Sequence, residues 1–206
     1  MAIRTLIVYL IQGGYTSQPH KAGGLYAMND PKYQEMIQFL KDLGTDKTPH
    51  SGKPFMAHLI SVFKDLKRWG ADRDICRAGL FHSIYGTQGF QAFSLPIEQR
   101  DQVKELIGER AEWIAFLNCF MEREDFDSIF VEGKPDRRVI NRETSEVYQI
   151  EPQDFDDLGF MHLCDWLEQV PRSQTWDYRR DAYQAMAKYY GGIALEEFDR
   201  IFATAS

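Results

Sequence analysis

Residues 50–87 read HSGKPFMAHLISVFKDLKRWGADRDICRAGLFHSIYGT, and two helices can be laid on them before the rest of the chain is considered. Met56, Leu59, Ile60, Phe63 and Leu66 recur at helical spacing and form one apolar stripe. Ser51 is placed to cap that helix, Pro54 falls near its start, and Gly70 ends it after Trp69. Lys64, Lys67 and Arg68 mark its wet face and suit its C-terminal end through the helix dipole. Residues 72–85 then carry Ile75, Cys76, Ala78, Gly79, Leu80 and Phe81. Apolar nearly all round, this second helix is expected at the centre of the fold. Gly86 breaks it. His58 and His82 fall on these helices, where a solvated polar face is not expected.

Working outward, Asn29 or Asp30 can cap a helix with Pro31 in its first turn, and that helix stops at Gly44. Residues 1–27 form a loosely ordered lead. Its LIVYLI run is interrupted by Gly13-Gly14 without a small-residue cleavage pattern, so secretion is not expected. Met28 offers an alternative start. On the other side, GTQGFQAFSLP is a loop. Ser94 and Pro96 open a helix with Ile97, Val103, Leu106 and Ile107 inward, bent at Gly108 and resuming to about Met121. Residues 122–136 read as acidic and irregular. RRVINRETSEVYQI alternates enough for a small β-hairpin turning near Glu143-Thr144. Helix returns from Pro152 to Val170, with the acidic run 151–157 as a solvated start. Two last helices span about 176–190 and 194–203. The expectation is one all-α domain over residues 28–206 with a minor peripheral hairpin.

Composition narrows the function classes. The 206 residues are 44% hydrophobic and 27% charged, ordinary for a globular protein. A net charge of −7 argues against non-specific binding to nucleic acid or to an anionic membrane surface, where a basic face is the signature. A small ligand, phosphorylated or not, remains compatible with a local basic cluster. Cys76, Cys119 and Cys164 are an odd set without CxxC spacing, all in apolar runs. Buried thiols in a cytoplasmic protein are expected, not disulfides or a zinc knuckle.

Asp165 is the third polar residue in an apolar setting. Phe160, Met161, Leu163, Cys164, Trp166 and Leu167 surround it in sequence. A buried carboxylate needs a cation, a metal or strong donors. His162 shares nearly the same helix face. His58, His82 and Asp165, from three apolar helices, are the kind of set that makes a metal site. Taken singly, a residue of this kind is more often a hydrogen-bonded core residue than a ligand. His20 lies in the lead and carries no weight.

SGKPFMAHL, followed by a helix and then AGLFHS, resembles the HD-domain superfamily, and most of all the hydrolase domain of the RelA/SpoT family. There a segment of the form SGEPYxxHP precedes one of the form AALLHDVVEDT and, later, LADRLHNMRT. By that resemblance His58 takes the place of the first histidine and His82 that of the histidine in the HD pair. LCDWLEQVPR puts Asp165 at the distal aspartate, and VKELIGERAEWIAFL is similar to the FGxxVAxLV helix between them. The likeness spans roughly residues 48–172. The chain is also similar to HD-like bacterial proteins that share HSG, AGLFHS and YGT elements. Two departures matter. The pair reads His82-Ser83, so a weak hydroxyl ligand replaces the metal-binding aspartate. The Glu-Asp that serves alarmone hydrolysis falls on Gly86-Thr87, so that reaction by that route is not expected.

Two imidazoles and one carboxylate with open positions suit Mn, Fe, Co or Zn. His50 or His162 stands as a further ligand in place of the missing aspartate. Lys53 and Arg77 are candidates for phosphate contact, although a solvated helix position also explains each. The leading expectation is a diverged metal-dependent HD-type phosphohydrolase acting on a nucleotide or other small phosphoester. One alternative is a non-catalytic HD-like protein that binds a small ligand or regulates. Another is a non-haem iron oxygenase, which uses the same ligand types.

Overall fold

Helical spacing of apolar residues accounts for most of the architecture in the computed structural model, which describes residues 30–134 and 136–204. The order is α1 (Tyr33–Asp42), β1 (Pro49–His50), β2 (Lys53–Pro54), α2 (Phe55–Arg68), α3 (Arg73–Phe81), α4 (Arg100–Ile107), α5 (Glu109–Phe120) and α6 (Arg123–Val131). It continues with β3 (Arg138–Ile140), β4 (Val147–Gln149), α7 (Pro152–Gln169), α8 (Arg180–Tyr190) and α9 (Gly192–Phe202). This is an all-α fold with two small antiparallel pairs, β1–β2 and β3–β4. The expected N-terminal lead, with His20, lies outside the described residues, as do Met28 and Asn29.

Helix α7 runs through the middle. From Asp157 to Leu167 every residue is buried, so it shares the central place expected for α3 alone. Helices α2 and α3 pack closely because position 79 is glycine: a Cβ there would sit 2.2 Å from Leu66 Cδ1. Asp72 caps α3, its side chain accepting from the Ile75 amide at 3.0 Å. The α4–α5 break falls at Gly108 as expected, preceded by a short 3-10 turn at Ile97–Gln99. The β3–β4 hairpin pairs Arg138 with Gln149, Val139 with Tyr148 and Ile140 with Val147. Cys76, Cys119 and Cys164 are free and buried. No described helix is long and apolar enough to cross a membrane.

Several local expectations are corrected. Ser51 does not cap α2; it sits in the turn joining β1 to β2, and Pro54 occupies the cap position. The second helix ends at Phe81, so His82 is its C-cap and residues 82–85 form a turn. Residues 123–131 are helical, not irregular: Glu122 caps α6 by accepting from the Asp125 amide, and Phe126, Ile129 and Phe130 give it a buried face. Ile97 points outward and is 40% exposed. The start of α7 is only partly solvated, because Asp157 is buried against Arg110, which also binds Asp154 at 2.9 Å.

Candidate metal centre

Three helices deliver three polar side chains to one point. His58 is the fourth residue of α2, on the buried face it shares with Phe55, Leu59 and Val62. His82 caps the C-terminus of α3. Its Nδ1–H donates to the Gly79 carbonyl at 2.7 Å, satisfying one of the orphan carbonyls of the last turn. Asp165 projects from the middle of α7. His58 Nε2 lies 3.0 Å from Asp165 Oδ1, His82 Nε2 lies 3.2 Å from the same oxygen, and the two Nε2 atoms are 3.2 Å apart. All three residues are buried, and the set could hold a metal ion.

The hydrogen bonds fix what these atoms are. A backbone carbonyl only accepts, so the His82 proton is on Nδ1 and its Nε2 carries a lone pair. His58 Nδ1 lies 2.6 Å from Glu168 Oε2. Burial opposes ionisation of Glu168, but its bonds to His58 and Arg172 outweigh it and hold the pKa down to about 2. Glu168 is therefore an acceptor, His58 donates from Nδ1, and the Nε2 of the neutral ring is also a lone pair. Two nitrogen lone pairs and a carboxylate oxygen converge with no donor among them. Such a cluster needs a cation or a proton at its centre. Ligand atoms about 2.0–2.2 Å from a shared ion stand roughly 3–3.5 Å from each other, so the donors fit. A carboxylate or carbonyl behind each ligating imidazole is the usual support for such a site.

The proton alternative has its own signature. Burial disfavours a charged His58, but Asp165 and Glu168 outweigh it and raise its pKa. Burial also opposes ionisation of Asp165, yet His82 and His58 keep its carboxyl well below the ordinary range. The cluster thus favours positive charge at its centre in either form. Asp165 Oδ1 additionally accepts from Gln169 Nε2 at 2.9 Å.

The other candidates are placed differently. His50 is buried beside the centre, its ring stacked on that of His58 at 4.3 Å, and its Nδ1 has no hydrogen-bond partner. Burial, and then the neighbouring His58, push its pKa down to about 4. Ser83 is buried next to His82. His162 is drawn into a separate network: Nδ1 pairs with Asn118 Oδ1 at 3.0 Å, and Nε2 faces Tyr183 Oη at 3.2 Å and Arg179 Nη2 at 3.3 Å. Lys53 reaches the centre indirectly, through Glu168, and also bonds Ser61 Oγ at 2.9 Å. Arg77 is committed elsewhere, clamping Asp30 at 2.6 and 2.7 Å and the Ile107 carbonyl at 3.1 Å.

Glu168 escaped the sequence reading. The available signal was its position three residues after Asp165, on the same face of one helix. It also lines a cavity of about 270 Å³ between α2, α7 and α9, together with Ser61, Lys64, Arg68, Glu197 and Arg200. His58, His82 and Asp165 do not line that cavity.

A family model described as Domain of unknown function (DUF6817) matches residues 39–123. That span contains His58 and His82 and stops short of Asp165. No curated protein and no solved structure matches the chain.

Proposed function

We propose that this chain is a diverged metal-dependent phosphohydrolase of the HD type, acting on a nucleotide or another small phosphoester. One observation carries the reading: His58 Nε2, His82 Nε2 and Asp165 Oδ1 converge at 3.0–3.2 Å, and with both rings neutral all three atoms are acceptors. A divalent ion bound there would lower the pKa of its water and polarise a phosphoryl oxygen. The chain's own residues prepare that chemistry. Glu168 and the Gly79 carbonyl hold each imidazole in the ligating tautomer. Gln169 orients Asp165. Lys53 and Arg172 both rest on Glu168 and stay partly exposed, which places two cations where a phosphate could meet them. The resemblance to HD proteins supports the same three ligand positions, while Ser83, Gly86 and Thr87 argue for a substrate other than the alarmone.

Protein purified without chelators is expected to carry about one divalent ion per chain and to hydrolyse part of a nucleotide panel in a metal-dependent way. His82→Ala should stay folded and lose both properties. A metal-free wild type, or metal retained in His82→Ala, would overturn the reading.

A second reading rests on the burial of all three ligand atoms away from the α2–α7–α9 cavity. It makes the chain a non-catalytic ligand-binding protein, and it predicts binding without turnover in the same panel. The oxygenase alternative shares the donor set and is separated by iron content and oxygen consumption.

A further inference from the structure

The centre is sealed. His58 and His82 are 0% and 1% exposed and Asp165 is 6% exposed. No substrate-sized molecule reaches their ligand atoms in this conformation. Helices α2, α3 and α7 are packed against one another. The β1–β2 hairpin is different. It has one pair of residues on each strand, Pro49 with Pro54 and His50 with Lys53. Its turn, Ser51-Gly52, has φ of +43° and +78°, the two-residue type I′ pattern. Ser51 takes that conformation without the freedom of glycine. A hairpin this short does not hold itself together in water.

Side chains at and just past the end of α7 hold it, together with the His50 ring packed on Phe55 and Phe90. Ser51 Oγ–H donates to Gln169 Oε1 at 2.8 Å, Lys53 pairs with Glu168, and Arg172 Nε–H donates to the Ser51 carbonyl at 3.2 Å. Two of these latch partners also touch the centre. Gln169 donates to Asp165, and Glu168 accepts from His58. The turn, through Ser51, and β2, through Lys53, are thus each wired by one α7 side chain to one ligand.

We propose that residues 49–54 form a gate over the triad. The Ser51–Gln169 and Lys53–Glu168 latch closes it, and the same two α7 side chains report its state to Asp165 and His58. Closed, the gate lays the His50 ring on His58 and keeps the centre dry. Open, it exposes both Nε2 atoms and frees Lys53 at the mouth. The gate itself follows from burial and contact geometry; that it admits a substrate to a metal rests on the phosphohydrolase reading.

Histidine modification by diethyl pyrocarbonate in metal-free protein, mapped by peptide mass spectrometry, tests it. His162 is as buried as His82 but bonds Asn118, Tyr183 and Arg179 rather than the triad or the hairpin, so it reports general loosening. The double variant Ser51→Ala/Lys53→Met should raise the His58 and His82 rates about tenfold, the effect of losing two modest latch bonds, with His162 unchanged. Arg172→Gln alone should give a smaller rise of the same pattern. Unchanged His82 rates in both variants, or a His162 rate that climbs in step, overturns the gate. Adding a divalent metal to the wild type should protect His82. Failure of that arm alone counts against the metal and leaves the gate standing.

Discussion

His82 and His162 sit on opposite sides of Asn118, whose Nδ2 donates to the His82 carbonyl at 2.8 Å and whose Oδ1 accepts from His162 Nδ1 at 3.0 Å. On the His162 side every partner is matched. Its Nδ1 donates, its Nε2 accepts from Tyr183 and Arg179, and Arg179 is answered by Asp127. On the His82 side, with both rings neutral, three acceptors face each other without a donor. Both regions are buried, polar and rich in histidine. Only one is left with unbalanced lone pairs. A complete network fixes the packing of a core; an incomplete one of this kind could hold a cation.

The largest contrast concerns metal content. Asp165→Asn should lose stoichiometric metal, while His162→Gln should keep it, as elemental analysis of both variants would show. Equal loss in the two would erase the distinction between the regions. Next comes stability. Arg179→Ala leaves the half-buried Asp127 with only the more distant Arg123 charge, so denaturant unfolding should show a cost of about 2–3 kcal/mol with metal affinity unchanged. Glu168→Gln should do the reverse, weakening metal binding by about 10–100-fold in competition with a chelator. Its fold should change little if His58 is ligated.

The smallest effect is in pH, and the two regions should differ in sign. Burial, and then Arg179, hold the His162 pKa well below its ordinary 6.5. The unfolded chain therefore takes up a proton below pH 6.5 that the native state refuses. Stability falls on acidification, by up to about 1.4 kcal/mol per pH unit for this residue. His58 in metal-free protein has its pKa raised above 6.5 despite burial, by Asp165 and Glu168. Its contribution is complete below 6.5 and fades as pH rises through the folded value. Urea titrations in chelator at several pH values should show His162→Gln flattening the acid side and His58→Gln flattening the alkaline side.

Much of this was legible in the residues. The stripe Leu59, Phe63 and Leu66 and the all-round apolar run of α3 located two helices, and the apolar settings of His58, His82 and Asp165 drew attention to three side chains that the fold brings together. Helix α6 was obscured by its charge. Glu122, Glu124 and Asp125 looked like a loop, yet acids are what the first turn of a helix prefers, and Phe126, Ile129 and Phe130 already had the spacing. The roles of Ser51, Arg77 and Glu168 were out of reach for a different reason. Ser51 bonds to Gln169 and Arg77 to Asp30 across long stretches of chain, and local pattern carries no information about such partners. Glu168 and Gln169, charged and polar near a helix end, look like a wet face until the hairpin is seen lying over them.

Position 79 ties two otherwise separate design problems together. The missing methyl lets Leu66 of α2 fill the interhelical contact, and the same residue's carbonyl aims the His82 ring. Enlarging the residue to stiffen the scaffold would push the two helices apart and swing an imidazole off its target. In this protein mechanical tightness and ligand aim are adjusted by one and the same residue.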